Sequence, residues 1–516
     1  MIKTLSKIFG SSYRARPANP YPGSKVDEQY PARPNLDFDQ MDMLSRMNHR
    51  QILNSTRHIY NAFPMVSGAI NDIANHTIGQ HWQPQHKGAN HEFGDLAEDW
   101  LKNWANVADV RGAPFTFRMD YYVGTVCICR DGEFFIHPTR GANGFPMLQF
   151  FEAHRIGDRL GSYGKVVGEG RYEGYPQRNG IAYNEYSRPI AYHYLADDPK
   201  DDRWIPAKDI WHVYDPKWFS QGRGISPLVY GILDWLDVQG WRSNEKMAQM
   251  VLSSIAAIEH NEEGAPDTLA DRIRKATTEV VDPDKPKPPI ESFYSGAVRF
   301  FKLNGSNLKA FEQNRPSMNQ ADFEARVLRG CFRALGWTYE QALDSKGQGG
   351  ANVRRDVAQN QKSIEHMQAV LEPSWKQAVV YALAVAQYYG FLTDDDGNEI
   401  EFPTDWYKWR PQLPQKMTVD HGRDRRIDIE EIRSGVRTVI QDIRDRGLDE
   451  TEFLKEQIHF YKLKKEQAEA AGIPREEWLE VFGSLLINPA AAHQKTQEEQ
   501  EKEEAEAAKR DTGASE

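Results

Sequence analysis

Three clusters in the chain have residue types that could do chemistry. The first is Leu343–Asp356, "LDSKGQGGANVRRD", which holds three glycines, Lys346, Arg354 and Arg355. A nucleotide-binding P-loop reads G-x-x-x-x-G-K-[ST] and joins a buried strand to a helix. Here Lys346 precedes the glycines, and the segment before it, "CFRALGWTYEQAL", has a helical pattern. No G-x-G-x-x-G occurs, so the stretch reads as a flexible loop between two helices. The second cluster is His76, His81, His86 and His91, one every five residues. Helical metal ligands need spacings of three or four, and H-E-x-x-H is absent; solvated loop histidines are expected. The third is Cys127 and Cys129 in "YYVGTVCICRDGEFFIHP", which reads as a strand with both thiols on one face. They are expected to pack, since a structural zinc site wants four ligands. "TDDDGNEIEF" lacks the spaced ligands of a calcium loop and reads as the turn that ends a helix. G-x-S-x-G is absent too. The sequence implies no catalytic residue, metal site or cofactor.

The elements that must position these residues follow from length and pattern. At 516 residues the chain is long enough for several packed units. No apolar run reaches the roughly 20 residues of a membrane span, and the N-terminus lacks a signal-peptide core, so assembly in a cytoplasm-like compartment and no membrane partner are expected. Three cysteines imply no disulfide framework. A net charge of −11 argues against a protein that grips nucleic acid over its whole surface.

Residues 1–40, rich in Pro, Tyr and Arg, read as an extended arm. The pattern is helical from Asp42 to His76 and again over 93–108. Short strands follow in "FFIHP", "MLQFFEAHRIG", "RPIAYHYL" and "IWHVYDP", separated by turn signals such as "RDGE". This predicts a mixed α+β unit. Ser226 and Pro227 then signal a helix start, with Leu228, Ile232, Trp235, Val238, Met247, Met250 and Val251 at helical spacing and a possible break near Gly240. A compact insert over 259–315 comes next. It contains a short helix capped by Asp267, a proline-rich loop and the strand "GAVRFFKLN". A helix with the apolar stripe Phe323, Val327, Cys331 and Leu335 follows. After the glycine loop, a helical pattern runs from Asn352 to Tyr389 with Pro373 inside it, which predicts a bend. "IEFPTDWYKW" reads as a strand, residues 423–490 as helical, and the polar tail from 491 to 516 as disordered.

In this order, "NGIAYNEYSRPIAYHYL", "IPAKDIWHVYDPKWFSQGRGISPLVYGILDWLDVQGWRSNEKMAQMVLSS" and "FRALGWTYEQALDSKGQGGANVRRDVAQNQKSIEHMQAVLEPSWKQAVVYALAVAQYYGFL" resemble the lambda-like family of tailed-phage portal proteins over roughly residues 45–475. The sequence departs from the family pattern at "GQGGANVRR", where a Tyr-Ser-Ser-type segment is usual. It departs again after Val419–Asp420, where "HGRDRR" replaces a "VDPxK"-like turn.

The resemblance implies an α+β portal fold assembled as a ring of twelve at one capsid vertex of the virion. Double-stranded DNA passes through the ring during packaging and ejection. Implied partners are the terminase large subunit, the major capsid protein and scaffold, and the head-completion and neck proteins. The implied layout begins with an arm (1–40), a wing (41–222) and a first stem helix (223–258). A clip (259–315), a second stem helix (316–338) and a tunnel loop (339–352) follow. Then come a kinked long helix with a wing strand (353–422), a crown (423–490) and a tail (491–516). On this layout Lys346, Gly347, Gln348, Gly349 and Gly350 form the tunnel loop facing DNA. Arg272, Arg274, Lys275, Lys285 and Lys287 are candidate clip contacts to motor or neck, or plain solvated surface. Arg354 and Arg355 oppose the helix dipole, so some other partner, such as a neighbouring subunit's acid, should offset them. A DNA-guiding channel should carry few basic residues, because tight phosphate contacts would act as brakes. A nucleic-acid enzyme would need a Walker motif or clustered carboxylates, and neither is present. The alternative is another phage head or tail structural protein.

Overall fold

The computed structural model describes residues 39–472, apart from 81, 160–162, 167–169, 254–256, 262–305, 311–317, 344–348, 394–396 and 398–399. The predicted arm up to 38, most of the insert with its helix and "GAVRFFKLN" strand, Lys346, and the tail lie outside the described residues.

After a one-turn helix at Gln40–Met43, two long helices open the described chain, α1 (Arg46–Ala62) and α2 (Pro64–Ile78). Ser45 caps α1 by accepting from Asn48 N–H, and Pro64 occupies the first turn of α2, where its missing N–H costs no bond. Strand β1 (Pro84–His86) and α3 (His91–Ala105) lead to α4 (Phe117–Arg130). A three-stranded antiparallel sheet follows, in the order β3 (Pro146–Glu152), β2 (Glu133–Arg140), β9 (Trp211–Tyr214). Between β3 and β9 the chain makes a five-stranded meander of β4 (Tyr163–Lys165), β5 (Pro176–Arg178), β6 (Ile181–Tyr183), β7 (Pro189–Tyr194) and β8 (Arg203–Pro206).

Helix α5 (Ile232–Ser253) leads into an antiparallel pair, β10 (Ala257–Asn261) and β11 (Ser306–Ala310), and α6 (Met318–Leu335) returns to pack on α5. The 39-residue helix α7 (Gly350–Tyr388) spans about 58 Å. Its buried residues Ile364, Leu371, Trp375, Ala378, Ala382 and Ala386 repeat at helical spacing, and its later half fills the core around Trp104, Phe117, Tyr121 and Phe134. Strand β12 (Trp409–Pro411) pairs with β1. Helices α8 (His421–Arg433), α9 (Val439–Asp445) and α10 (Glu450–Ala470) close the described chain. The fold is therefore mixed helix and sheet, as the α+β reading expected.

Several local readings change. Cys127 and Cys129 sit on helix α4, not on a strand, and face different clusters: Cys127 the core around Trp375, Cys129 the core around Trp235. The helix is buried on both sides, so its apolar run shows no 3.6-residue period. Helix α5 runs unbroken through Gly240. Helix α7 ends at Tyr388, where Gly390 at φ 68° lets Phe391 N–H reach the Ala386 carbonyl. The acidic turn comes later and is not the terminator. Within "IEFPTDWYKW", only Trp409 belongs to a strand, and residues 404–407 form a turn.

Candidate functional site

Ser226 Oγ accepts from Leu228 N–H at 3.1 Å and donates to the Cys129 carbonyl at 2.6 Å, so the predicted cap also ties the start of α5 to α4. The first turn there, Pro227–Gly231, is 3-10, and α5 proper begins at Ile232. Trp235 and Val238 of α5 pack against Leu328, Cys331 and Phe332 of α6, and Arg242 meets Glu324 at 2.5 Å across the pair. The other side of the hairpin is largely exposed, with Phe323 of α6 packed on Trp241 of α5 at ring centres 5.3 Å apart. Leu233, Met247 and Met250 are 76%, 65% and 73% exposed, and Phe323 of α6 is 55% exposed. Met247, Met250 and Phe323 keep the expected helical spacing and lie on the exposed side. On α6 an exposed row carries Arg326, Arg329 and Arg333, of which Arg329 meets Glu340 at 2.7 Å.

The glycine loop leaves α6 through Gly336 at φ 82° and a turn fixed by Asn360 of α7, whose amide bonds both Thr338 N–H and Thr338 Oγ1 at 3.1 Å. Lys346, Gly347 and Gln348 lie outside the described residues; Gly349 caps α7 and Gly350 is its first residue. The arginines do meet acids, and both are of the same chain: Arg354 meets Asp420 at 3.6 Å and Arg355 meets Asp356 at 3.5 Å. The five clip candidates, Arg272, Arg274, Lys275, Lys285 and Lys287, lie outside the described residues. Pro373 is inside continuous helix, so α7 lacks the one backbone N–H that would donate to Ala369.

Beneath the hairpin, the mixed helix-and-sheet unit has two buried ion clusters. The turn "RDGE" meets "GRGISP" backbone to backbone: a Cβ on Gly132, at φ 98°, would lie 2.5 Å from the Ile225 carbonyl carbon. Next to it the fully buried Glu133 accepts from Arg223 Nε at 2.7 Å, Gly224 N–H at 2.6 Å and His212 Nε2 at 2.7 Å. Arg223 spends its remaining donors on the carbonyls of Ala153, Ile156 and Asn179 at 2.8–3.0 Å. Burial alone would raise the Glu133 pKa, but Arg223 and His212 reverse this and hold it far below the carboxylate range. Burial and the Arg223 charge push His49, close by, down to about 3.

The second cluster gathers Cys127, Asp131 and Glu152, with one potential ligand atom each, all within 4.8 Å of one another. Arg57 and Arg130 already occupy them. Both guanidinium groups grip Asp131 at 2.7–2.9 Å, both reach Glu152 at 3.1–3.2 Å, and Arg130 Nη2 lies 3.6 Å from Cys127 Sγ. Burial pushes the Cys127 thiol up to about 12. A divalent cation would have to displace two arginines, so the cluster is an ion-pair lock.

Two of the four histidines, His76 and His86, are not solvated loop residues. His76 is on α2 and stacks on buried Trp337 with ring centres 6.3 Å apart, and His86 is on β1 against Phe93 and Trp409. His91 begins α3, exposed, and His81 lies outside the described residues. No local spacing signals the Glu133–Arg223 joint, because its partners lie 90 residues apart.

The chain matches the family described as phage portal protein, lambda family, over residues 37–347. It belongs to the lambda family of phage portal proteins, which are structural components of the virion and its head-tail connector. Among solved structures, it is similar to a chain in the neck of an empty GTA particle computed with C6 symmetry, with 12% identity, 79% of this chain and 96% of that one covered, and a TM-score of 0.47. A chain in the neck of a native GTA particle computed with C12 symmetry gives 14%, 78%, 94% and 0.43. An HK97 family phage portal protein from Corynebacterium diphtheriae gives 12%, 58%, 84% and 0.29. No curated protein matches the chain. No helix among the described residues is long and apolar enough to cross a membrane.

Proposed function

We propose that twelve copies of this chain form the portal ring at one capsid vertex, through which double-stranded DNA is packaged and later ejected. The observation that carries this reading, beyond family membership, is the uncovered apolar side of the α5–α6 hairpin. Exposed apolar patches of this kind mark interaction surfaces, and adjacent copies in a ring would cover this one. On this reading the hairpin is the stem, the insert over 259–315 is the clip that meets terminase and then the neck, and α8–α10 belong to the crown. The major capsid protein and scaffold surround the ring as it assembles in the host cytoplasm. Lys346 and the glycines through Gly350 form the tunnel loop, where one lysine gives DNA a brief phosphate contact and the glycines give the loop freedom. Pro373 bends α7 between wing and crown; a straight axis over 365–380 in an experimental structure would be the contrary result. Mass photometry of the purified full chain tests the assembly: a dominant twelve-copy species is expected, and a monomer at all concentrations would refute it.

A further inference from the structure

A groove of about 850 Å³ opens on the wing beside the point where the described chain begins. Its aromatic walls are Tyr183, Tyr186, Tyr192, Trp211, Tyr214 and the fully exposed Phe219. The fourth side is α7, through Pro373 and Gln377. Asp39 and Met41 also line it, so the N-terminal segment leaves directly from its edge. Gln40 N–H and Met41 N–H are fixed to Ser220 Oγ and the Ser220 carbonyl, at 2.9 and 3.2 Å, on the same loop as Phe219. Asp39 has φ −58° and ψ 139°, close to polyproline II values.

Aromatic-lined grooves recognise proline-rich segments, because the polyproline II helix is already extended and loses little entropy on docking.

The chain carries such a segment at the right distance. Residues 31–34 read Pro-Ala-Arg-Pro after Tyr30. Five residue steps separate Pro34 from Asp39, a reach of up to about 17 Å, so the motif can fold back along the groove of its own subunit. We propose that Tyr30–Pro34 docks in this groove in cis, its prolines against the aromatic walls, and so fastens the N-terminal arm across the face of α7 that holds Pro373. Other occupants would be the arm of a neighbouring copy or a proline-rich segment of another protein.

The test uses the full chain with Ala32→Cys paired with Gln377→Cys on the groove wall; Cys127, Cys129 and Cys331 are buried. Mild oxidation should give an intrachain disulfide, seen as a faster band on a non-reducing gel and confirmed by peptide mass. Adding Pro31→Ala with Pro34→Ala should lower its yield several-fold, while the thermal transition stays in place. A yield no higher than that of Ala32→Cys paired with Lys462→Cys on α10 would overturn the proposal. So would a product that is mainly interchain in mixed light- and heavy-labelled protein. The readout does not depend on ring formation, so it can fail or succeed independently of the portal reading.

Discussion

The wing joint and the helical hairpin treat their side chains in opposite ways. At the joint, Glu133, Arg223, His212 and Gly224 satisfy one another in full burial, and Arg57 and Arg130 do the same for Asp131 and Glu152. On the hairpin, Leu233 and Met247 stay 76% and 65% exposed. The joint completes its contacts within one chain. In the proposed ring, the hairpin's exposed residues meet another copy. Mutations at the two places should therefore be read by different instruments, stability for one and association for the other.

The largest stability effect is expected from Arg223→Ala. It strands the Glu133 charge with three carbonyls, and breaking a buried pair in this way costs about 3–5 kcal/mol. Denaturant unfolding of the variant should show a much lower midpoint or no folded baseline. A change within about 0.5 kcal/mol would mean that the joint does not hold the wing together.

Acid should act on the same joint through His49. Its folded pKa, about 3, lies below the ordinary 6.5, so the unfolded chain binds the proton first. The stability this gives is present above pH 6.5 and is lost as pH falls from 6.5 toward 3. Between pH 6.5 and 5 the loss should approach roughly 2 kcal/mol. Unfolding midpoints measured across that window should fall, and His49→Gln should flatten the slope. An unchanged slope in that variant would assign the acid sensitivity elsewhere.

Gly132→Ala should cost somewhat less, about 1–3 kcal/mol, because it forces a side chain onto φ 98° and against the Ile225 backbone. Differential scanning calorimetry checks this. The smallest stability effect, within about 0.5 kcal/mol, is expected from Leu233→Glu combined with Met247→Glu. That variant should nonetheless fail to form rings by sedimentation. If it unfolds instead, the hairpin belongs to the monomer's core and the contrast between the two regions is lost.

The sequence made legible what local rules govern. The Ser226–Pro227 start, the long helix around Pro373 and the strands of the wing all rest on neighbours in the chain. The joint was hidden because Glu133, His212 and Arg223 come from three separate segments and carry no spacing signal. Cys127 and Cys129 were misread as strand because burial on both sides of α4 erases helical period. The outward face of Met247 and Phe323 was hidden for a related reason. Periodicity shows that residues share a side, but not whether their own chain covers it. The tunnel-loop and clip residues were placed by family resemblance, and Gly349 and Gly350 are the only tunnel-loop candidates that fall among the described residues.

The central claim is that this chain is a ring-forming portal subunit, and negative-stain electron microscopy of the purified full chain tests it most directly. The account expects end-on class averages with twelve-fold symmetry and a central hole wide enough for a DNA duplex. Monomers, fibres or closed particles without a hole would contradict it.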